Sequence, residues 1–358
     1  MVERTVPNRT PCVYHTVHCL LGFTCYILKT TVIYKTCEEK DLKMLLLGIE
    51  STAHTFGIGI VNSSGKILAN IKDSYTTEQA GLIPNKVAEH HQHVAEKVLQ
   101  QAFQEGNVGW GDISFIAYSA GPGLDPSLLV GYRKAKEWSE KYKKPLVGVN
   151  HCAAHLSIGK LWNKAKEPCY LYVSGVNTQI IVEEGGKYRI LGETLDIGLG
   201  NMLDKFARDL GLGFPGGPQI EELARKGNYV ELPYVVKGMD VSFSGILTKV
   251  QQLRKKGLPQ EDLCFSLQEV CFAMCTEVAE RALAHTGKKE LLLVGGVGAN
   301  KRFGEMLGIM CTERGAAFYN VPLTLATDNG AMIAWEGYLR RKESGDINVR
   351  PHWRVDEV

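Results

Sequence analysis

The chain has 358 residues, 44% hydrophobic and 22% charged, a composition that excludes a disordered polymer and is long enough for two lobes. A net charge of +2 excludes nucleic-acid binding driven by a global basic excess, so any such surface must be a local patch. Of the ten cysteines, four (Cys12, Cys19, Cys25, Cys37) fall before residue 44 and the others form no CxxC pair, the usage of a reduced, cytoplasmic protein.

Taken in chain order, residues 1–43 carry an apolar run from Cys19 to Tyr34 that Lys29, Thr30 and Thr31 interrupt. That run is too short and polar to span a bilayer and lacks the layout of a signal peptide, so this stretch is read as a disordered leader or mis-called start, with no membrane anchor. From Met44 the pattern gives a strand at Leu45–Ile49, a second at Ile58–Asn62, the turn Ser63-Ser64-Gly65-Lys66 and a third strand from Ile67. A buried strand follows at Ile113–Ser119, then Gly121-Pro122-Gly123-Leu124-Asp125-Pro126-Ser127, with Asp125 as N-cap and Pro126 opening a helix. Lys134, Lys136, Lys141, Lys143 and Lys144 make a basic helical run, read as a solvated face.

The first plan then recurs. Cys169–Val173, Gln179–Glu183 and a strand from Tyr188 form a second meander, and Leu291–Val294 a second buried strand. Gly65-Lys66 and Gly186-Lys187 sit 121 positions apart, which suggests an internal duplication. The expectation is two α/β lobes across a cleft, 44–150 (completed by a C-terminal helix at about 328–345) and 151–327; two unrelated α/β domains are the alternative.

Three features carry chemistry. His151-Cys152-Ala153-Ala154-His155 follows the strand-like Pro145–Val149 and opens a helix, where positions i and i+4 share a face. A lone HxxxH is as readily a structural histidine pair; the carboxylate of Thr327-Asp328-Asn329-Gly330, placed before a helix of small apolar residues, adds an oxygen donor and suits zinc or iron. Glycine-rich turns at Ser174–Thr178, Phe214–Pro218 and Gly295–Asn300 let a nucleotide approach the backbone, with Asp204 between the first two and Glu221 placed for ribose hydroxyls.

Gly48-Ile49-Glu50-Ser51-Thr52-Ala53-His54-Thr55, His151–His155, Tyr172–Thr178, Glu193–Ile197 with Gly200-Asn201, Phe214–Pro218, Asp240–Gly245 and Asp328-Asn329-Gly330 together resemble the archaeal and eukaryotic branch of the TsaD family. The resemblance spans nearly all of 44–358. It implies the two-lobed fold of the actin, Hsp70 and sugar-kinase superfamily, with ribonuclease H-like lobes. It also implies the catalytic subunit of the KEOPS complex, passing threonylcarbamoyl from threonylcarbamoyl-adenylate to N6 of the adenosine 3′ of the anticodon in ANN-decoding tRNA. Implied partners are tRNA, a small RIO-type protein kinase, a small dimerising subunit and a threonylcarbamoyl-adenylate synthase.

By the same resemblance one divalent metal, iron or zinc, is held by His151, His155, Tyr172 and Asp328. An adenine nucleotide (the adenylate, or ATP) meets Tyr172, Val173, Ser174, Gly175, Val176, Asp204, Gly217, Glu221 and Asn300, and His54 is the proton acceptor. Two departures stand out. Val176 replaces a family glycine, so it should push the nucleotide away or force a different turn, and Leu129 stands near a usual arginine. The rival functions are a nucleotide-binding scaffold of the same fold and a metalloprotease; zincins carry a glutamate directly after the first histidine, where this chain has Cys152.

Overall fold

The computed structural model describes residues 44–77, 83–343, 345 and 347–358, and the leader expectation lies outside them. The strands are β1 (Leu45–Glu50), β2 (Thr55–Asn62), β3 (Ile67–Ser74), β4 (Ile113–Gly121), β5 (Leu146–Asn150), β6 (Cys169–Val173), β7 (Thr178–Glu184), β8 (Lys187–Glu193), β9 (Val236–Lys237), β10 (Asp240–Val241), β11 (Glu290–Val294) and β12 (Ala317–Asn320). The helices are α1 (Pro84–Gly106), α2 (Asp125–Tyr142), α3 (His151–Asn163), α4 (Leu199–Asp209), α5 (Gly217–Ala224), α6 (Ser244–Lys255), α7 (Gln260–Thr286), α8 (Lys301–Glu313), α9 (Leu323–Ala326) and α10 (Gly330–Arg340).

Two five-stranded sheets share one plan. The first runs β3-β2-β1-β4-β5 and the second β8-β7-β6-β11-β12, each an antiparallel meander extended by two parallel strands. β1 and β6 are buried along almost their whole length, as central strands covered on both faces must be. β2 begins at Thr55, earlier than the apolar pattern suggests, because Thr55–Gly57 pair with Lys72–Ser74 although a threonine and a glycine blur the alternation. Helix α2 starts at Asp125, so Leu124 takes the N-cap position with no side-chain cap and Pro126 is the second helical residue, one step from the sequence expectation.

Beyond each sheet's last strand a long helix packs on the other sheet. α3 leaves β5, is buried without interruption from His151 to Gly159, and joins Tyr170, Tyr172, Ile181, Leu292 and Val294 of the second sheet in one core. α10 follows β12 and lies on β1 and β2 so closely that a Cβ on Gly48 would sit 2.2 Å from the Ala334 nitrogen, and one on Gly59 2.1 Å from that of Ala331. Glycine is required there for backbone-to-backbone packing. Among the described residues, no helix is long and apolar enough to cross a membrane.

Candidate active site at the helix crossing

Asn150 caps α3 by accepting from the Ala153 nitrogen at 3.0 Å, which sets the first turn and puts His151 and His155 on one face. Asn329 caps α10 in the same way, accepting from Met332 at 3.0 Å, and its amide nitrogen donates to the Thr327 carbonyl at 2.8 Å. The two capped ends meet. Nε2 of His151 is 3.6 Å and Nε2 of His155 3.4 Å from Oδ1 of Asp328, and the ligand atoms of the three all lie within 4.8 Å of one another.

Tyr172 reaches the same spot from β6, its ring centred 5.4 Å from that of His155. Its fully buried hydroxyl has no partner of good hydrogen-bond geometry, with Cys152 and Ser174 as polar neighbours. An orphaned buried oxygen beside two imidazoles and a carboxylate fits a divalent cation, and the mixed nitrogen and oxygen donors are those of zinc or iron sites.

Glu50 is the residue that sequence reasoning quoted within a motif but gave no role. Fully buried at the end of β1, it accepts from Nδ1 of His151 at 2.9 Å, and from the Thr52 nitrogen at 2.7 Å and hydroxyl at 2.5 Å. A carboxylate on the far nitrogen fixes the ring's orientation and turns Nε2 toward Asp328. Burial pulls the His151 imidazole down, but Glu50 and Asp328 outweigh it and hold it up to about 9. Burial likewise raises Asp328, yet the His155 hydrogen bond and the facing histidines hold it well below the ordinary carboxylate range. Cys152 is no base, since burial pushes its thiol up to about 12.

The glycine-rich turns gather on the second sheet. Asn201 donates its backbone nitrogen to the Gly175 carbonyl at 2.8 Å and Gly200 to that of Ser174 at 3.1 Å, so α4 begins against the Ser174–Asn177 turn. A Cβ on Gly295 would meet the Val173 carbonyl at 2.3 Å, placing the β11 turn beside it. Asp204 accepts from the Gly216 nitrogen at 2.8 Å, next to Gly217, and burial raises its carboxyl above the ordinary value. Glu221 accepts from the Lys301 nitrogen at 3.1 Å, beside Asn300. Both polar atoms of Asn300 already have protein partners, Phe303 at 3.1 Å and Gln268 at 2.9 Å.

Two other quoted motifs find each other. Asp196 accepts from the Phe243 and Ser244 nitrogens at 2.9 and 3.1 Å, capping α6 across 47 and 48 residues of sequence. His54, on the turn after β1, meets the Phe214 ring edge-on at 5.4 Å across the cleft.

Duplicated ribonuclease H-like sheets around a cleft, with glycine-rich turns on one side, define a two-lobed protein of the actin, Hsp70 and sugar-kinase type. Solved structures bear out that fold alone: full-length HypF in a phosphate- and nucleotide-bound form aligns at a TM-score of 0.59 with 13% identity, over 85% of this chain and 47% of its own. Component A of the (R)-2-hydroxyglutaryl-CoA dehydratase of Acidaminococcus fermentans aligns at 0.53 with 14% identity, over 84% and 99%. The particular family follows from sequence. Residues 66–335 match the family TsaD, tRNA N6-adenosine threonylcarbamoyltransferase, and the chain belongs to it. It is 53% identical to the tRNA N6-adenosine threonylcarbamoyltransferase of Thermococcus kodakarensis over 323 residues, 88% of this chain and 98% of that protein. The like-named protein of Archaeoglobus fulgidus is 50% identical over 321 residues, 88% and 98% of the two chains. A probable bifunctional tRNA threonylcarbamoyladenosine biosynthesis protein of Methanocaldococcus jannaschii is 49% identical over 321 residues, which cover 88% of this chain and 60% of that one.

Proposed function

We propose that this transferase makes threonylcarbamoyladenosine in tRNA by moving threonylcarbamoyl from threonylcarbamoyl-adenylate to N6 of the adenosine 3′ of the anticodon in ANN-decoding tRNA. The observation that carries the reading is the convergence of His151, His155 and Asp328 within 4.8 Å in a chain of this family. In the reaction the N6 amine attacks the carbamoyl carbonyl carbon, a carbon–nitrogen bond forms, and the bond to the phosphate oxygen breaks, releasing AMP with its electron pair. His54 takes the proton that N6 loses.

The Val173–Asn177 turn, Asp204, Gly217, Glu221 and Asn300 hold the adenylate, Asn300 through its backbone because its side chain is engaged. An exocyclic amine is a weak nucleophile, so positioning does most of the work. A divalent cation, iron or zinc, held by His151, His155, Tyr172 and Asp328 would supply a Lewis acid and a template there. The chain would work in the cytoplasm within a KEOPS-type assembly with a small kinase and a small dimerising subunit; a bifunctional relative, in which this region is 60% of a longer chain, supports a close association with a second activity.

The test is reconstitution with a threonylcarbamoyl-adenylate source and ANN-decoding tRNA. His151→Ala and Asp328→Ala should each strip the cation, measured by elemental analysis, and lower transfer by roughly 100-fold or more, since even groups one step behind a ligand cost 10- to 100-fold. Unchanged metal content would remove the ligand assignment; nucleotide binding without transfer would favour a scaffold.

A further inference from the structure

Asp328 sits on a short loop between α9 and α10, and its neighbours on both sides are gripped by one edge strand of the first sheet. In β3, Asn70 pairs with Gly59 and Lys72 with Gly57, so the two side chains share one face of the strand while Ile71 turns to the core on the other. Nζ of Lys72 donates to Oγ1 of Thr327 at 2.6 Å and to the carbonyl of Asp328 itself at 3.2 Å. The Asn70 amide donates to the Thr324 carbonyl at 3.4 Å, and its oxygen accepts from the Ala331 nitrogen at 3.2 Å. These bonds bracket the loop: one before it, two upon it, one where the next helix starts.

We propose that Asn70 and Lys72 are positioning residues for the cation site, a clamp on β3 that fixes where the Asp328 carboxylate points. The proposal rests on the reading of His151, His155 and Asp328 as cation ligands and names what orients the last of them. Glu50 orients His151 from β1, so adjacent regions of the same sheet set the nitrogen and the oxygen donors. A purely electrostatic view of Lys72 makes the opposite forecast. An ammonium beside a divalent cation repels it, and removing that charge alone would strengthen binding. The clamp forecasts weaker binding, because a carboxylate free to swing loses affinity even though the local charge becomes more favourable.

The experiment uses the full chain, stripped by a chelator, with Zn2+ affinity measured by competition against a chromogenic chelator and melting temperature recorded alongside. Lys72→Met and Asn70→Leu should each raise the Zn2+ dissociation constant by about 10- to 100-fold, the range for groups that orient a ligand, with little change in melting temperature of the stripped protein. Lys72→Arg, which keeps both donors and charge, should restore most of the affinity. Lys72→Gln removes the charge and is one atom too short to keep both bonds of the clamp, so it decides the matter if the methionine variant does not fold: weaker binding supports the clamp. Equal or tighter binding in Lys72→Met or Lys72→Gln overturns it and leaves the ligand reading standing, whereas a wild-type chain that binds no Zn2+ overturns both.

Discussion

At the scale of single residues, Val176 and Glu50 mark the two directions in which sequence and structure part. Val176 is 69% exposed, its φ is not in the left-handed region, and the turn closes through Ser174 donating to the Asn177 carbonyl at 2.8 Å. The valine therefore takes ordinary backbone within a closed turn, with its side chain exposed where a nucleotide would approach. Val176→Gly should tighten AMP binding by about 1 kcal/mol, the low end of what a crowding side chain costs, measured by calorimetric titration. Equal affinities would show that the side chain never meets the nucleotide. Glu50 is the converse case. The histidine pair was legible because i, i+4 spacing is local, but the carboxylate that orients it lies 101 residues upstream and closes ordinarily on a strand. Only the pairing of β1 with its neighbours and the start of α3 bring the two together.

At the scale of elements, the meanders were readable because their first strands are apolar and the turn before each third strand carries Gly-Lys, whereas the destination of α3 and α10 was not. α3 is buried on every side through Gly159, so its pattern says that it is interior without saying which sheet covers it. What selects the partner of α10 is the absence of side chains on Gly48, Gly57 and Gly59. Gly59→Ala should destabilise the protein by about 3 kcal/mol, the upper range for overpacking where backbone atoms cannot give way. Because Gly330 rests on the same stripe, its missing Cβ only 2.1 Å from the Gly59 nitrogen, the variant should also weaken Zn2+ binding through Asp328. Denaturant unfolding and cation titration measure the two losses; a variant as stable as wild type would show that α10 slides freely on the strands.

At the scale of the whole molecule, one core holds residues of α3, α10 and both sheets together. Unfolding of residues 45–358 should therefore be a single transition, with calorimetric and van't Hoff enthalpies in agreement; two resolved peaks would refute it. The two sheets also repeat one strand order within the single chain. The start of α3, beyond the last strand of the first sheet, meets the loop before α10, beyond the last strand of the second, where His151, His155 and Asp328 converge. α3 carries the imidazoles, while the loop before α10 supplies the carboxylate. Two copies of one strand plan thus enclose a centre whose two halves differ.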